Sequence, residues 1–204
     1  MLRSSPPKER ADAARNRAAV LEAAATLFAR HGVANVSMDQ VAAAAGVGKG
    51  TLFRRFGDKA GLAVALLDER ERALQEQIIS GPSPLGPVGE PPPAPVDRLV
   101  AFVEAYLDYA LSHLDLVRMS ETASPGARYR IGAYRFWHRH IALLLAAARP
   151  GADADALAHV LLASLAAEHL YATTADLDPG RVRAATVEAA RALCGPHADP
   201  GSHG

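Results

Sequence analysis

The stretch Ser37-Met-Asp-Gln-Val-Ala-Ala-Ala-Ala-Gly-Val-Gly-Lys-Gly-Thr-Leu-Phe-Arg-Arg-Phe-Gly-Asp-Lys59 decides how this chain is read. Ser37 is a good N-cap, because its hydroxyl can accept from an amide left free at a helix start. Val41, Ala42 and Ala45 give the short helix that follows an inner face. A tight turn at Ala45-Gly46-Val47 leads into a second short helix over 48–56, with Leu52 and Phe56 inward at i, i+4. Gly57-Asp58 ends it, and Asp58 is placed to cap the next helix. Two short helices joined by a glycine-containing turn form a helix-turn-helix, whose second helix enters the major groove of duplex DNA.

Upstream, Val20, Ala24, Leu27 and Phe28 recur at helical spacing, which predicts a helix over 11–31 stopped by Gly32. Residues 1–10 are expected to form a flexible, frayed segment, and 196–204 a flexible tail. Downstream, a fourth helix runs to about residue 79, with Leu62, Leu66 and Ala73 on one face and the charged run Asp68–Arg72 exposed. Seven prolines and three glycines fall within 80–95, a loop expected to be partly extended and mobile between two helices of the body. Further helices are predicted over 96–113, 114–123, 127–148, 153–175 and 179–193. No credible run of strands and no fixed-period repeat is present. The fold class is all-α, with a three-helix DNA-binding head over 11–57 and a helical body over 58–195.

The chain has 204 residues and is half apolar, which excludes wholesale disorder. Formal net charge is zero but unevenly distributed. Residues 1–60 carry ten Lys/Arg against five Asp/Glu, and residues 61–204 carry twelve against seventeen. A basic first third suits a nucleic-acid-binding head on a body that avoids phosphates. The single cysteine, Cys194, excludes an intrachain disulfide and reads as a structural thiol. The N-terminus lacks a signal-peptide core, and the apolar runs at 141–148 and 157–167 fall well below the roughly 20 residues that span a bilayer. A cytoplasmic protein with no membrane association is therefore expected. There is no glycine-rich phosphate loop, no Gly-x-Ser-x-Gly and no His-Glu-x-x-His, so an enzyme is not expected, and no cofactor either. His138, His140 and His169 have no short ligand spacing, so no metal site is expected.

Lys49, Gly50, Thr51, Arg54 and Arg55 lie on or at the start of the second helix of the motif. Lys49 suits guanine O6 or N7, and the Thr51 methyl suits a thymine methyl. Ser37, Lys59 and the amides at helix starts suit phosphates. Arg15 and Arg17 are placed to reach backbone or minor groove.

Residues 18–62 resemble the DNA-binding domain of the TetR family of bacterial repressors. The match runs through Val20-Leu-Glu-Ala-Ala-Ala-Thr-Leu-Phe28, Gly32, Val36-Ser37-Met38, Val41-Ala42, Ala45-Gly46-Val47, Gly50-Thr51-Leu52-Phe53, Phe56, Lys59 and Leu62, without a gap. The resemblance implies an all-helical homodimer of about nine helices per subunit, bound to a double-stranded DNA operator and released by a small ligand. Phe53 departs from the family's usual tyrosine, losing a phosphate hydrogen bond, and is assigned to the core. The family's histidine-type phosphate contact falls on Arg55.

The resemblance weakens beyond residue 65. Phe102, Tyr106, Tyr109, Met119, Trp137, His138 and His169 are candidates for lining an effector pocket, with Phe136, Glu168 and Tyr171 as further bulky or polar neighbours. Leu157, Leu161, Leu165, Val182 and Val187 lie on apolar faces of the last two helices, which the resemblance implies pair with a second subunit. The expected function is a homodimeric repressor that binds a roughly palindromic operator and is released by a small, mostly apolar effector acting through the fourth helix. The alternative is a DNA-binding regulator with no small-molecule effector, whose body serves only dimerisation or protein partners.

Overall fold

The computed structural model describes residues 7–130 and 132–195. The expectations for residues 1–6 and 196–204 lie outside the described residues. Those described form eleven helices and no strand. They are α1 (Pro7–His31), α2 (Met38–Ala44), α3 (Lys49–Phe56), α4 (Lys59–Ser80), α5 (Pro95–Ser112), α6 (Leu114–Glu121), α7 (Ala127–Arg130), α8 (Gly132–Ala148), α9 (Ala154–Ser164), α10 (Ala167–Asp176) and α11 (Pro179–Leu193). Two of the nine expected helices are each divided: 127–148 into α7 and α8, and 153–175 into α9 and α10. α1 starts earlier than expected, at Pro7. Proline suits a first helical turn, where its missing N–H costs nothing.

The chain divides into two compact units, Met1–Glu69 and Arg70–Gly204, with the division inside α4. In the first unit Val20, Ala24, Phe28, Val36, Val41, Leu52 and Leu62 are buried. Along α4 the buried residues are Leu62, Ala63, Leu67, Leu74 and Ile78, whereas Leu66 is half-buried and Ala73 is exposed. The apolar stripe thus lies about one residue round from the expected one. Glu71, expected to be exposed, accepts a hydrogen bond from the Tyr109 hydroxyl at 2.8 Å.

The core of the second unit is built on Leu99, Phe102, Val103 and Leu107 of α5, Ile141 and Leu145 of α8, and Leu161, Leu162, Leu165 and Leu170 around the α9–α10 break. The loop after α4 is closed rather than loosely extended. Ser83 N donates to Val88 O at 2.7 Å, and Gly86 N donates to Pro82 O at 2.8 Å. The Arg98 guanidinium donates to Leu85 O at 3.3 Å and Ile78 O at 3.0 Å, fixing the loop against the first turns of α5.

The α9–α10 break has a specific cause. Ala166 adopts extended geometry, φ −65° and ψ 137°, between two helical segments. That leaves backbone groups without helical partners. Arg128 donates to the carbonyl of Leu162 at 2.6 Å, and Glu121 accepts from the amide of Ala167 at 2.8 Å. Arg128 and Glu121 also pair with each other, their side chains only 11% and 9% exposed. One ion pair therefore supplies both a donor and an acceptor to the interrupted helix. Burial raises the Glu121 carboxyl above its usual range, against the downward pull of Arg128. Replacing Arg128→Met leaves a buried carboxylate unpaired and should cost about 3–5 kcal/mol, read by urea denaturation. The double variant Arg128→Met/Glu121→Gln should lose less.

His140 is buried in edge-on contact with Phe102, centroids 5.3 Å apart, and its Nε2 has no hydrogen-bond partner. Burial, aided by Arg98, lowers its pKa from 6.5 to about 4. The unfolded chain takes up this proton near pH 6.5, whereas the folded chain resists until about pH 4. Its contribution is intact above 6.5 and is lost as pH falls through that window, by roughly 3 kcal/mol in total. Stability measured by urea denaturation across this range should fall less steeply in His140→Leu than in the wild type.

Candidate nucleic-acid interface

The N-cap expected at Ser37 is present, and Gln40 completes it as a capping box. Ser37 Oγ accepts from Gln40 N at 3.2 Å, and Gln40 Oε1 accepts from Ser37 N at 2.7 Å. Gly46 makes the turn at φ +64°, in the left-handed region that glycine enters freely. Gly48 N-caps α3, and Asp58 Oδ1 accepts from Gly61 N at 2.8 Å in the first turn of α4.

α3 buries Leu52, half-buries Thr51 and Phe56, and turns Lys49, Gly50, Phe53 and Arg54 outward. These four recur at i, i+1, i+4 and i+5, a single helical face. Gly50 would meet nothing within 4 Å if it carried a Cβ, so the chain's own packing does not require glycine there. Glycine in a helix interior costs about 1 kcal/mol relative to alanine, and close approach of an outside surface is a reason to keep it. Lys49 Nζ lies 2.7 Å from Asp39 Oδ2 in an exposed pair. Exposed pairs of this kind are worth roughly 0–1 kcal/mol, so a phosphate or base can displace this one.

Three expected positions need correction. Phe53, assigned to the core, is 39% exposed between Lys49 and Arg54, with the Lys49 ammonium 6.0 Å from its ring centroid. The interior below it is already filled by Leu52, so the neighbouring position on the helix turns outward. Lys59, assigned to phosphate, donates to the carbonyls of Val33 at 2.8 Å, Ala34 at 3.1 Å and Val36 at 2.9 Å. An ammonium has three N–H donors, and all are committed to the α1–α2 connection. Arg55 donates to Ala13 O at 2.9 Å and ties α3 to α1. Arg15 and Arg17 pair with Asp12 and Asp68. Arg54 is exposed and stays on the outward face with Lys49.

The sequence pattern of the tetR family of bacterial regulatory proteins matches residues 20–66, spanning the second half of α1, then α2, α3 and the start of α4. A solved TetR-family transcriptional regulator from Pectobacterium atrosepticum superposes with a TM-score of 0.65 at 26% identity, over 90% of this chain and 94% of that one. The similarity to the TetR family is thus one of sequence over residues 20–66 and of helical fold beyond. An HTH-type transcriptional repressor of Streptomyces coelicolor is 27% identical over 103 residues, 50% of this chain and 46% of the relative. An HTH-type transcriptional regulator of Staphylococcus aureus is 47% identical over 53 residues, 26% of this chain and 29% of the relative. The matches with these curated relatives thus span less than half of the relatives' own lengths. The family is one of regulatory proteins, not of enzymes.

In the second unit, Tyr106, Tyr109 and Trp137 line a cavity of about 20 Å³. Glu71, Ser120, Glu121, Arg128 and Tyr134 line it with them. Burial pushes the Tyr106 and Tyr109 hydroxyls up from their ordinary value, so both stay protonated. Of the other pocket candidates, Phe102 lies fully buried beside Tyr106 and Trp137, with centroids 5.9 and 5.8 Å away. Met119 does not line this cavity, His169 is exposed, and His138 lies in a separate groove. The polar half of the lining escaped the sequence reading because Glu121 and Arg128 sit in segments that look like solvated helix ends.

Of the five dimer candidates, three are buried and two half-buried within the single chain. Leu161, Leu165 and Val182 are buried in the subunit's own core, and Leu157 and Val187 pack against it. The outward faces carry smaller residues: Ala156, Val160 and Ala163 on α9, and Ala185, Ala189 and Ala192 on α11. Val160 is 61% exposed. Among the described residues, no helix is long and apolar enough to cross a membrane.

Lys59→Met should remove three charge-assisted bonds and lower the stability of the full chain by about 2 kcal/mol or more, read by thermal melting. Lys49→Ala, on the exposed face, should leave the melt within about 0.5 kcal/mol of wild type.

Proposed function

We propose that the chain is a homodimeric transcriptional regulator that binds a roughly palindromic duplex operator through α3, in the cytoplasm. The observation that carries this reading is the outward face of α3, where Lys49 and Arg54 flank Phe53 beside an unobstructed Gly50. Lys49 and Arg54 supply the charge, Thr51 and Phe53 the apolar contact, and Ser37 with the α2 amides a phosphate seat. A dimer places two such faces about one turn of DNA apart. The exposed alanines of α9 and α11 suit that pairing, since small side chains let helices approach closely.

In this reading repression is relieved by a small molecule in the body. The cavity among Tyr106, Tyr109, Trp137, Glu71 and Glu121 supports an effector with a polar or cationic group rather than a mostly apolar one. Its volume favours a second reading. About 20 Å³ admits a single water, whereas small-molecule sites are usually about 300–1,000 Å³. A regulator that works without an effector fits a cavity of this size directly, and an effector-responsive one requires it to widen.

The full chain should shift duplex fragments selected from a genomic pool in a gel-retardation assay, as a complex of two chains by light scattering. Lys49→Ala should alter the order of preferred duplexes, at roughly 5- to 150-fold for a lost base contact. Arg54→Ala should weaken all duplexes and reduce the salt slope by about one. A folded chain that shifts no duplex in low-salt buffer overturns this function.

A further inference from the structure

α8 and α9 pack side by side and bring His138, Asp155 and His159 together at one edge of the body. One ligand-capable atom from each lies within 4.8 Å of the other two. Asp155 and His159 are four residues apart on α9 and therefore share a face. His138 reaches them from α8, with its Nε2 3.7 Å from Asp155 Oδ1. Two ligands on a tetrahedral zinc ion, each bonded at about 2.0–2.1 Å, stand roughly 3.4 Å apart. The observed spacing is close to that, so small side-chain rotations admit an ion.

The surroundings suit coordination. Tyr134 Oη lies 2.7 Å from His159 Nδ1, which holds the ring and leaves Nε2 for a ligand. Outer hydrogen bonds of this kind orient metal-bound imidazoles. The His138 and His159 rings lie 4.0 Å apart. His138 Nε2 also lies 3.1 Å from the Asp155 carbonyl, a contact that coordination would replace. Arg135 and Arg139 line the same open groove, of about 440 Å³. Their charge opposes a cation held mainly by electrostatic attraction. Calcium and magnesium also demand more oxygen ligands than one carboxylate provides, whereas two imidazoles and a carboxylate suit borderline transition metals. The His138, His140 and His169 grouping weighed in the sequence is not formed: His140 is buried against Phe102, and His169 is exposed on α10.

We propose that His138, Asp155 and His159 form a binding site for a divalent transition-metal ion, with at least one coordination position open to solvent. The ion ties α8 to the first turns of α9. The site does not depend on the DNA-binding reading, and its test requires no duplex.

The test uses the full chain freed of metal by a chelator. Cobalt(II) titration should produce visible ligand-field absorption that saturates at one ion per chain and is displaced by zinc. Zinc at a hundredfold excess over its Kd should raise the melting temperature by roughly 5–10 °C. Asp155→Asn and His159→Gln, both at exposed positions, should melt like the wild type without metal and bind at least tenfold more weakly. Tyr134→Phe should weaken binding less, because it removes only the outer hydrogen bond. No absorption and no thermal shift in the wild type overturns the proposal. Equal affinity in the wild type and both ligand variants also overturns it, since the ion is then an adventitious surface one.

Discussion

The buried pair between Glu121 and Arg128 is the interaction on which the body depends. It joins the end of α6 to α7 and supplies the donor and acceptor that the α9–α10 break requires. Without it Ala167 N would lose its acceptor and Leu162 O would keep only the Leu165 amide, and leaving a buried amide unpaired is expensive. Both members also line the interior cavity. Charge there is fixed by backbone geometry on one side and faces an aromatic wall on the other. Any account of what the cavity admits begins from this neutral pair and from Glu71, held by Tyr109.

The basic groups of the head have different tasks although their sequence context looks uniform. Lys59 organises the loop between α1 and α2, and Arg55 fastens α3 to α1. Lys49 and Arg54 remain on the solvent side. The first two maintain the shape of the motif, and the last two are available to a partner. A basic position in such a motif can therefore serve geometry rather than contact.

The helix-turn-helix was legible because local chemistry specifies it: the Ser37 cap, the Gly46 turn, and the inward spacing of Leu52 and Phe56. Helix ends in the body were legible where Pro or Gly marks them, as at Pro179. The α9–α10 break was not, because Leu165-Ala166 carries no breaking residue and its cause lies in Glu121 and Arg128, more than thirty residues away. Apolarity likewise revealed that Leu161, Leu165 and Val182 pack, but not against what. Only the path of the chain distinguishes a subunit's own core from an outward face. Asp155 and His159 were not singled out in the sequence, because an i, i+4 pair alone names no site and its third member, His138, arrives from another helix.

Tyr134 has one face on the interior cavity and its hydroxyl on His159, outside it. The ring is a shared wall between the aromatic interior and the edge groove. A rearrangement that enlarges the interior by swinging this ring must carry the imidazole along or release it. Two compartments are thus hinged on a single aromatic side chain.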